Sequence, residues 1–170
     1  MNARIFVEKK PGYQTEALSL LDNFKTNLKA EITSLRLINV YDVFNIKEEV
    51  LEKAKYSIFG EIVTDNVFDT LDLTGKKYIA MEYLPGQFDQ RASSAIDCCK
   101  LVNPNADINI RSGKILILDD DISDENLERV KKYVINQVES REKDLTKLSD
   151  MEKATVNPVK VLDGFIKLTW

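Results

Sequence analysis

The sequence predicts an α+β fold, a two-layer sandwich of internally duplicated β-α-β-β-α units with a mainly antiparallel sheet and helices on one face. Three observations predict it. Short alternating apolar runs are followed by runs with apolar residues three or four apart, and this cycle occurs twice. Pro11-Gly12 recurs as Pro85-Gly86, 74 positions on, each time between a strand-like run and a helix-like one. The helical positions also correspond. Ala17, Leu20, Leu21 and Phe24 match Ala92, Ala95, Ile96 and Cys99 at an offset of 75. Glu49, Leu51, Glu52, Lys53, Ala54 and Lys55 match Glu125, Leu127, Glu128, Arg129, Val130 and Lys131 at 76. Offsets that drift by single residues, each step falling in a loop, are what two diverged copies leave behind. A unit this small buries little apolar area alone, so pairing two copies completes a core.

Arg4 to Lys10 reads as a strand, with Ile5 and Val7 on one face and Phe6 on the other. Pro11-Gly12 breaks it, and Thr15 to Leu28 carries the helical spacing of Ala17, Leu20, Leu21, Phe24 and Leu28. A second β run covers Ile32 to Phe44. Asn45, with Glu48 three places later, predicts a capped helix using Leu51, Ala54 and Ile58. Glu61 to Leu73 reads as an irregular or strand-like connection closed by Gly75. In the second copy Lys77 to Tyr83 is a strand and Asp89 caps a helix through Leu101 that buries Ala92, Ala95, Ile96, Cys99 and Val102. Asn103-Pro104-Asn105 ends it, strands follow within Ile108 to Leu118, and Ser123 caps a helix from Asp124 to about Val134.

These elements place the duplicated domain at 1–140, with repeat one at about 3–75 and repeat two at about 76–140. Charge becomes dense from Arg141 to Lys153, which reads as a solvated linker or exposed helix over 141–158. Val159 to Trp170 is apolar again and stops on the only tryptophan, which points to the truncated start of a following domain in a longer protein.

Composition excludes several functions. The 170 residues are 44% hydrophobic, but no apolar run approaches the roughly 20 residues of a membrane span. The N-terminus goes straight into a strand pattern with no secretory signal, so a cytoplasmic location is expected. A net charge of −4 argues against nucleic acid as a partner. With no histidine in the chain, neither a Ser-His nor a Cys-His nucleophile system can be assembled. Cys98 and Cys99 are adjacent, a poor geometry for a bridge, and read as reduced core or near-core residues. There is no glycine-rich phosphate loop, no dinucleotide fingerprint and no zinc spacing. No catalytic, cofactor-binding or metal-binding residue is therefore assigned.

The segment Tyr83 to Ser94 holds the candidate site: Gln87, Asp89, Gln90 and Arg91. Arg91 offers a rigid fork for a carboxylate or phosphate, and the two glutamines offer amides. One reading is an interdomain docking or coupling loop. The other is local, with Asp89 capping the helix and its neighbours tying the loop to the other repeat. The first copy has Gln14, Thr15 and Glu16 here, so the basic character belongs to copy two alone. Asp119-Asp120-Asp121 lacks the spacing of a calcium loop and reads as a solvated turn. Asp65, Asp69 and Asp72 read as surface acids, and strand placement accounts for Tyr41 and Asp42.

RIFVEKKPGY at 4–13, INVYDVFNI at 38–46, EYLPGQFDQRASSA at 82–95 and NQVESRE at 136–142 resemble the N-terminal region of the large, single-chain phosphoribosylformylglycinamidine synthases. The likeness covers nearly the whole chain in order. In that family this region looks like a fused pair of the small accessory subunit of the split enzyme, which agrees with the duplication. The resemblance implies purine biosynthesis: a ligase amidating formylglycinamide ribonucleotide with ATP, magnesium and glutamine. It also implies that the chemistry belongs to synthetase and glutaminase domains of the same full-length chain. This chain alone is then inactive, serving domain assembly and ammonia coupling. A free-standing dimerising adaptor and a small-metabolite-binding α+β protein are the alternatives.

Overall fold

The computed structural model describes residues 1–145 and 148. The elements run β1 (Ala3–Lys9), α1 (Thr15–Thr26), β2 (Leu35–Phe44), α2 (Glu48–Ala54), β3 (Asp65–Phe68), β4 (Tyr78–Tyr83), α3 (Gln90–Val102), β5 (Asn109–Leu118), α4 (Asp124–Val134) and β6 (Ser140–Glu142). All six strands form one antiparallel sheet in the order β3-β1-β2-β5-β4-β6. That order is symmetric: each copy contributes its third, first and second strands from the edge inwards. The copies join along β2 and β5, in register from Leu35 opposite Leu118 to Phe44 opposite Asn109. The architecture is the predicted two-layer α+β sandwich.

Each copy is ordered β-α-β-α-β, so the third strand follows the second helix where β-α-β-β-α was expected. In copy one that strand is β3, inside the stretch read as irregular or strand-like. In copy two it is Ser140–Glu142, at the start of the charged segment. Three residues with no apolar alternation give no strand signal, and β6 exists through its backbone pairing with Met81 to Tyr83. Ile108 to Leu118 holds one strand, because Ser112-Gly113 interrupts the apolar pattern without interrupting the ladder.

Two helix details also differ. Asn45 does not cap α2; it takes a left-handed φ of 62° and donates its side-chain amide to the Asp107 carbonyl. α2 ends at Ala54, and a π-helical turn, Lys55–Phe59, carries Ile58 and Phe59 towards the core. Val102, expected inside, is exposed in the last turn of α3. The linker beyond Leu145, apart from Leu148, and the Val159–Trp170 segment lie outside the described residues.

One face of the sheet carries the helices, and each half of its core draws on both copies. α3 packs with α2 and the π turn over Ile5, Tyr41, Val43 and Ile110. α1 packs with α4 over Leu37, Ile79, Leu116 and Leu118. A single copy would leave half of each cluster facing water, so the two fold as one unit. On the opposite face Phe6, Ile38, Val40, Ala80, Ile115 and Ile117 are buried. Phe68 of β3 and Leu71 and Leu73 of the β3–β4 connection pack against them, as does Leu145.

On that second face Lys143 returns beneath the sheet, where Gly113 makes room for it. A Cβ on Gly113 would lie 2.7 Å from the Met81 carbonyl oxygen and 3.1 Å from Lys143 Cδ. The lysine stem can yield, but the oxygen belongs to the paired strand and cannot. Gly113→Ala is expected to cost about 1–3 kcal/mol by overpacking. A urea titration reads this as a lower midpoint at unchanged slope.

Candidate functional site

The motif from Tyr83 to Ser94 folds as a tight turn feeding α3. Gly86 takes a φ of 88°, a left-handed conformation that favours glycine, and the Gln87 N–H donates to the Leu84 carbonyl at 3.0 Å. Gln87 and Phe88 are exposed. Asp89 is the N-cap. Its Oδ1 accepts from the Ala92 N–H at 3.0 Å and from Ser112 Oγ at 2.6 Å, while Oδ2 accepts from the Ser112 N–H at 2.8 Å. This carboxylate therefore holds the first turn of α3 and ties it to β5. Its oxygens are occupied locally.

Gln90 and Arg91 stand one step further along and face space. They line a cleft of about 640 Å³ with Tyr41, Glu82, Ser112 and Lys114. Arg91 is exposed overall, but Nη1 donates to the Tyr41 hydroxyl at 3.5 Å. It also lines two smaller clefts of about 240 and 250 Å³, and both of these include Lys9 and Asn39. Of the four candidate residues, then, the structure brings Gln90 and Arg91 together at the cleft. Asp89 serves the cap, and Gln87 stays in the turn.

The charges around Arg91 are mostly matched. Lys114 pairs with Glu16 at 2.6 Å and Lys9 with Asp65 at 2.8 Å, whereas Arg91 forms no ion pair among the described residues. Burial works to lower the Arg91 pKa. The hydrogen bond to Tyr41 and the charges of Tyr41, Glu16 and Asp89 outweigh it, so the pKa rises and the guanidinium stays cationic. Cys98 is exposed on the main cleft, while Cys99 is buried and burial pushes its thiol pKa up, keeping it protonated and unreactive.

Asn39 is the residue that composition and motif reading missed. It faces the helices between Leu37 and Tyr41, in register with Val7 and Lys114. It is buried, and its Oδ1 has no hydrogen-bond partner. The available signal was a polar residue breaking the apolar series of Leu37, Tyr41 and Val43. Asp65, read as a surface acid, is buried beside Gly60 and pairs with Lys9, because its side chain bonds the Glu61 N–H and closes the turn into β3. Asp119 is also buried, held by Thr33 and Ser34.

Chemically, the site offers donors from Arg91, Lys9 and Tyr41, while the unpartnered Oδ1 of Asn39 is sealed from solvent. The donors are equipment for binding a small polar group. Comparison with protein-family models, curated proteins and solved structures finds no match. No helix among the described residues is long and apolar enough to cross a membrane.

Proposed function

We propose that this chain is the non-catalytic N-terminal domain of a phosphoribosylformylglycinamidine synthase, acting in domain assembly and in coupling ammonia release to its use. The observation that supports the reading is the sheet itself. Two like copies joined along β2 and β5, with helices exchanged across the join, are what a fused accessory-subunit pair would build. The motif that carries the resemblance also supplies Gln90 and Arg91 to the main cleft. On this reading the partners are the synthetase and glutaminase domains of the same full-length chain, in the cytoplasm. ATP and magnesium then belong to the synthetase, with no cofactor held by this chain.

The test uses the chain alone and in complementation. Given formylglycinamide ribonucleotide, ATP, magnesium and either glutamine or ammonia, the chain alone is expected to show no turnover. Mixed with a synthetase–glutaminase polypeptide of this family that lacks the corresponding region, it is expected to form a one-to-one complex and restore glutamine-dependent turnover. Turnover by the chain alone overturns the non-catalytic role. Failure both to bind and to restore activity overturns the family assignment in favour of a free-standing adaptor.

A further inference from the structure

The two copies close the same place on the sheet differently. In copy one Lys9 of β1 lies opposite Asp65 of β3, and the two pair at 2.8 Å beside the 250 Å³ cleft. Copy two has Tyr83 opposite Ser140 at these positions, and two hydroxyls make no ion pair. Both of them line the 640 Å³ cleft. Copy one also fills its side with Phe59, buried against Tyr41 with ring centroids 4.9 Å apart. The residue 76 positions on is the smaller Ile135. The wider opening on the copy-two side matches these exchanges.

A second observation comes from the wall that copy one supplies. The turn Lys55–Phe59 is π-helical, whereas the corresponding stretch of α4 stays α-helical to Val134. Such turns are rare and are frequent at functional sites. This one sets Ile58 on the 640 Å³ cleft and Phe59 on Tyr41. Tyr41 is only 4% exposed, yet its hydroxyl reaches the cleft and accepts from Arg91 Nη1 at 3.5 Å.

The chemistry of the lining narrows the ligand. Gln90, Ser94 and Tyr83 form no side-chain hydrogen bond among the described residues, and Met81, Ala95 and Val134 supply apolar surface. The volume lies within the range of small-molecule sites. Among the described residues that line the cleft, Arg91 is the cation left without an ion pair. Lys114 is held by Glu16 at 2.6 Å, and the remaining charged residues there, Glu82 and Glu139, are acids. One guanidinium undercompensates a phosphate dianion, whereas its planar fork matches a single carboxylate.

We propose that the 640 Å³ cleft binds a small monocarboxylate whose other polar groups are uncharged hydroxyls or amides, its carboxylate on Arg91 and those groups on Gln90, Ser94 and Tyr83. The site rests on this chain alone and does not require the enzyme assignment above.

Titration calorimetry of the intact chain tests it with gluconate, a polyhydroxy monocarboxylate, and N-acetylglycine, an amide monocarboxylate. At least one is expected to bind at about millimolar concentration, with its uncharged counterpart, sorbitol or N-acetylglycinamide, about tenfold weaker or worse. Glycerol phosphate is expected to bind more weakly than the better of the two. Arg91→Gln is expected to abolish binding and leave the melting temperature unchanged, since Arg91 holds no ion pair among the described residues. Tyr83→Lys combined with Ser140→Asp rebuilds the ion pair of copy one, and is expected to abolish binding with the melting temperature kept or raised. The proposal is overturned if neither probe binds at about millimolar concentration, or if the uncharged counterpart or glycerol phosphate binds as well as the better probe. It is equally overturned if Arg91→Gln keeps its affinity, a result that stands whether or not the double variant folds.

Discussion

Replacing Asp42 with alanine is expected to remove about 3–5 kcal/mol of folding stability, because it takes a shared carboxylate from two largely buried cations, Arg4 and Lys143. Asp42 lies on the sheet face opposite the helices. Its Oδ1 accepts from Arg4 Nε at 2.6 Å, and its Oδ2 accepts from Lys143 Nζ at 2.6 Å and Arg4 Nη2 at 3.2 Å. The Lys143 and Asp42 side chains are 4% and 5% exposed, so little water is available to replace the lost partner. Arg4 keeps the Leu145 carbonyl at 2.7 Å and Lys143 keeps Glu82, but Glu82 is shared among three cations. It already takes Lys143 at 3.1 Å and Arg141 at 3.2 Å, with Arg111 at 3.6 Å.

Removing Asp42 together with both of its cations is a different experiment. Arg4→Met, Asp42→Leu and Lys143→Met combined leave no buried charge unpaired, and are expected to recover most of the loss. Urea unfolding of wild type, single and triple variants measures both effects. A loss below about 1 kcal/mol for Asp42→Ala would mean that the cluster behaves as a solvated surface pair. The same geometry explains why the fold runs past 140: Lys143 joins the segment after β6 to β2 of copy one and β4 of copy two.

Lys143 also shows what could and could not be read in advance. It sits in a run so rich in charge that solvation is the natural reading, and its burial depends on Asp42, 101 positions earlier. No local pattern carries that information. Asp89 was legible as a cap because capping is local; its bonds to Ser112 were not, because they cross to β5. The duplication was legible because Pro-Gly turns and apolar spacing are local signals that repeat. The crosswise sharing of helices between the copies was not, since α1 and α3 have the same periodicity whichever half of the sheet they cover. Arg91 was legible as a fixed cation beside a turn. Asn39, its neighbour at the cleft, was visible only as a polar gap in an apolar face.

Asp119→Ala is expected to cost about 2–3 kcal/mol at neutral pH, from the loss of hydrogen bonds to a charged acceptor. Oδ2 accepts from the Thr33 N–H at 2.5 Å and Thr33 Oγ1 at 2.8 Å, and Oδ1 from the Ser34 N–H at 2.7 Å and from Ser34 Oγ. These bonds fix the approach to β2 beside the end of β5, where Leu35 and Leu118 open the ladder joining the copies. Burial alone would raise the pKa of this carboxyl. The bonds from Ser34 and Thr33 outweigh it and hold the pKa below the ordinary value of 3.8. A depressed folded pKa means that the unfolded chain takes up the proton first as the pH falls. The contribution of Asp119 is therefore complete above about pH 5 and is lost as the pH drops through 3.8 towards the lower folded value. The difference in unfolding free energy between wild type and Asp119→Ala should accordingly stay constant from neutral pH down to about 5 and narrow below about 4. Urea titrations across that range measure it. A gap that persists undiminished in acid would show that the hydroxyls and amides of Thr33 and Ser34 are held by packing, and that the charge on Asp119 contributes nothing to the join.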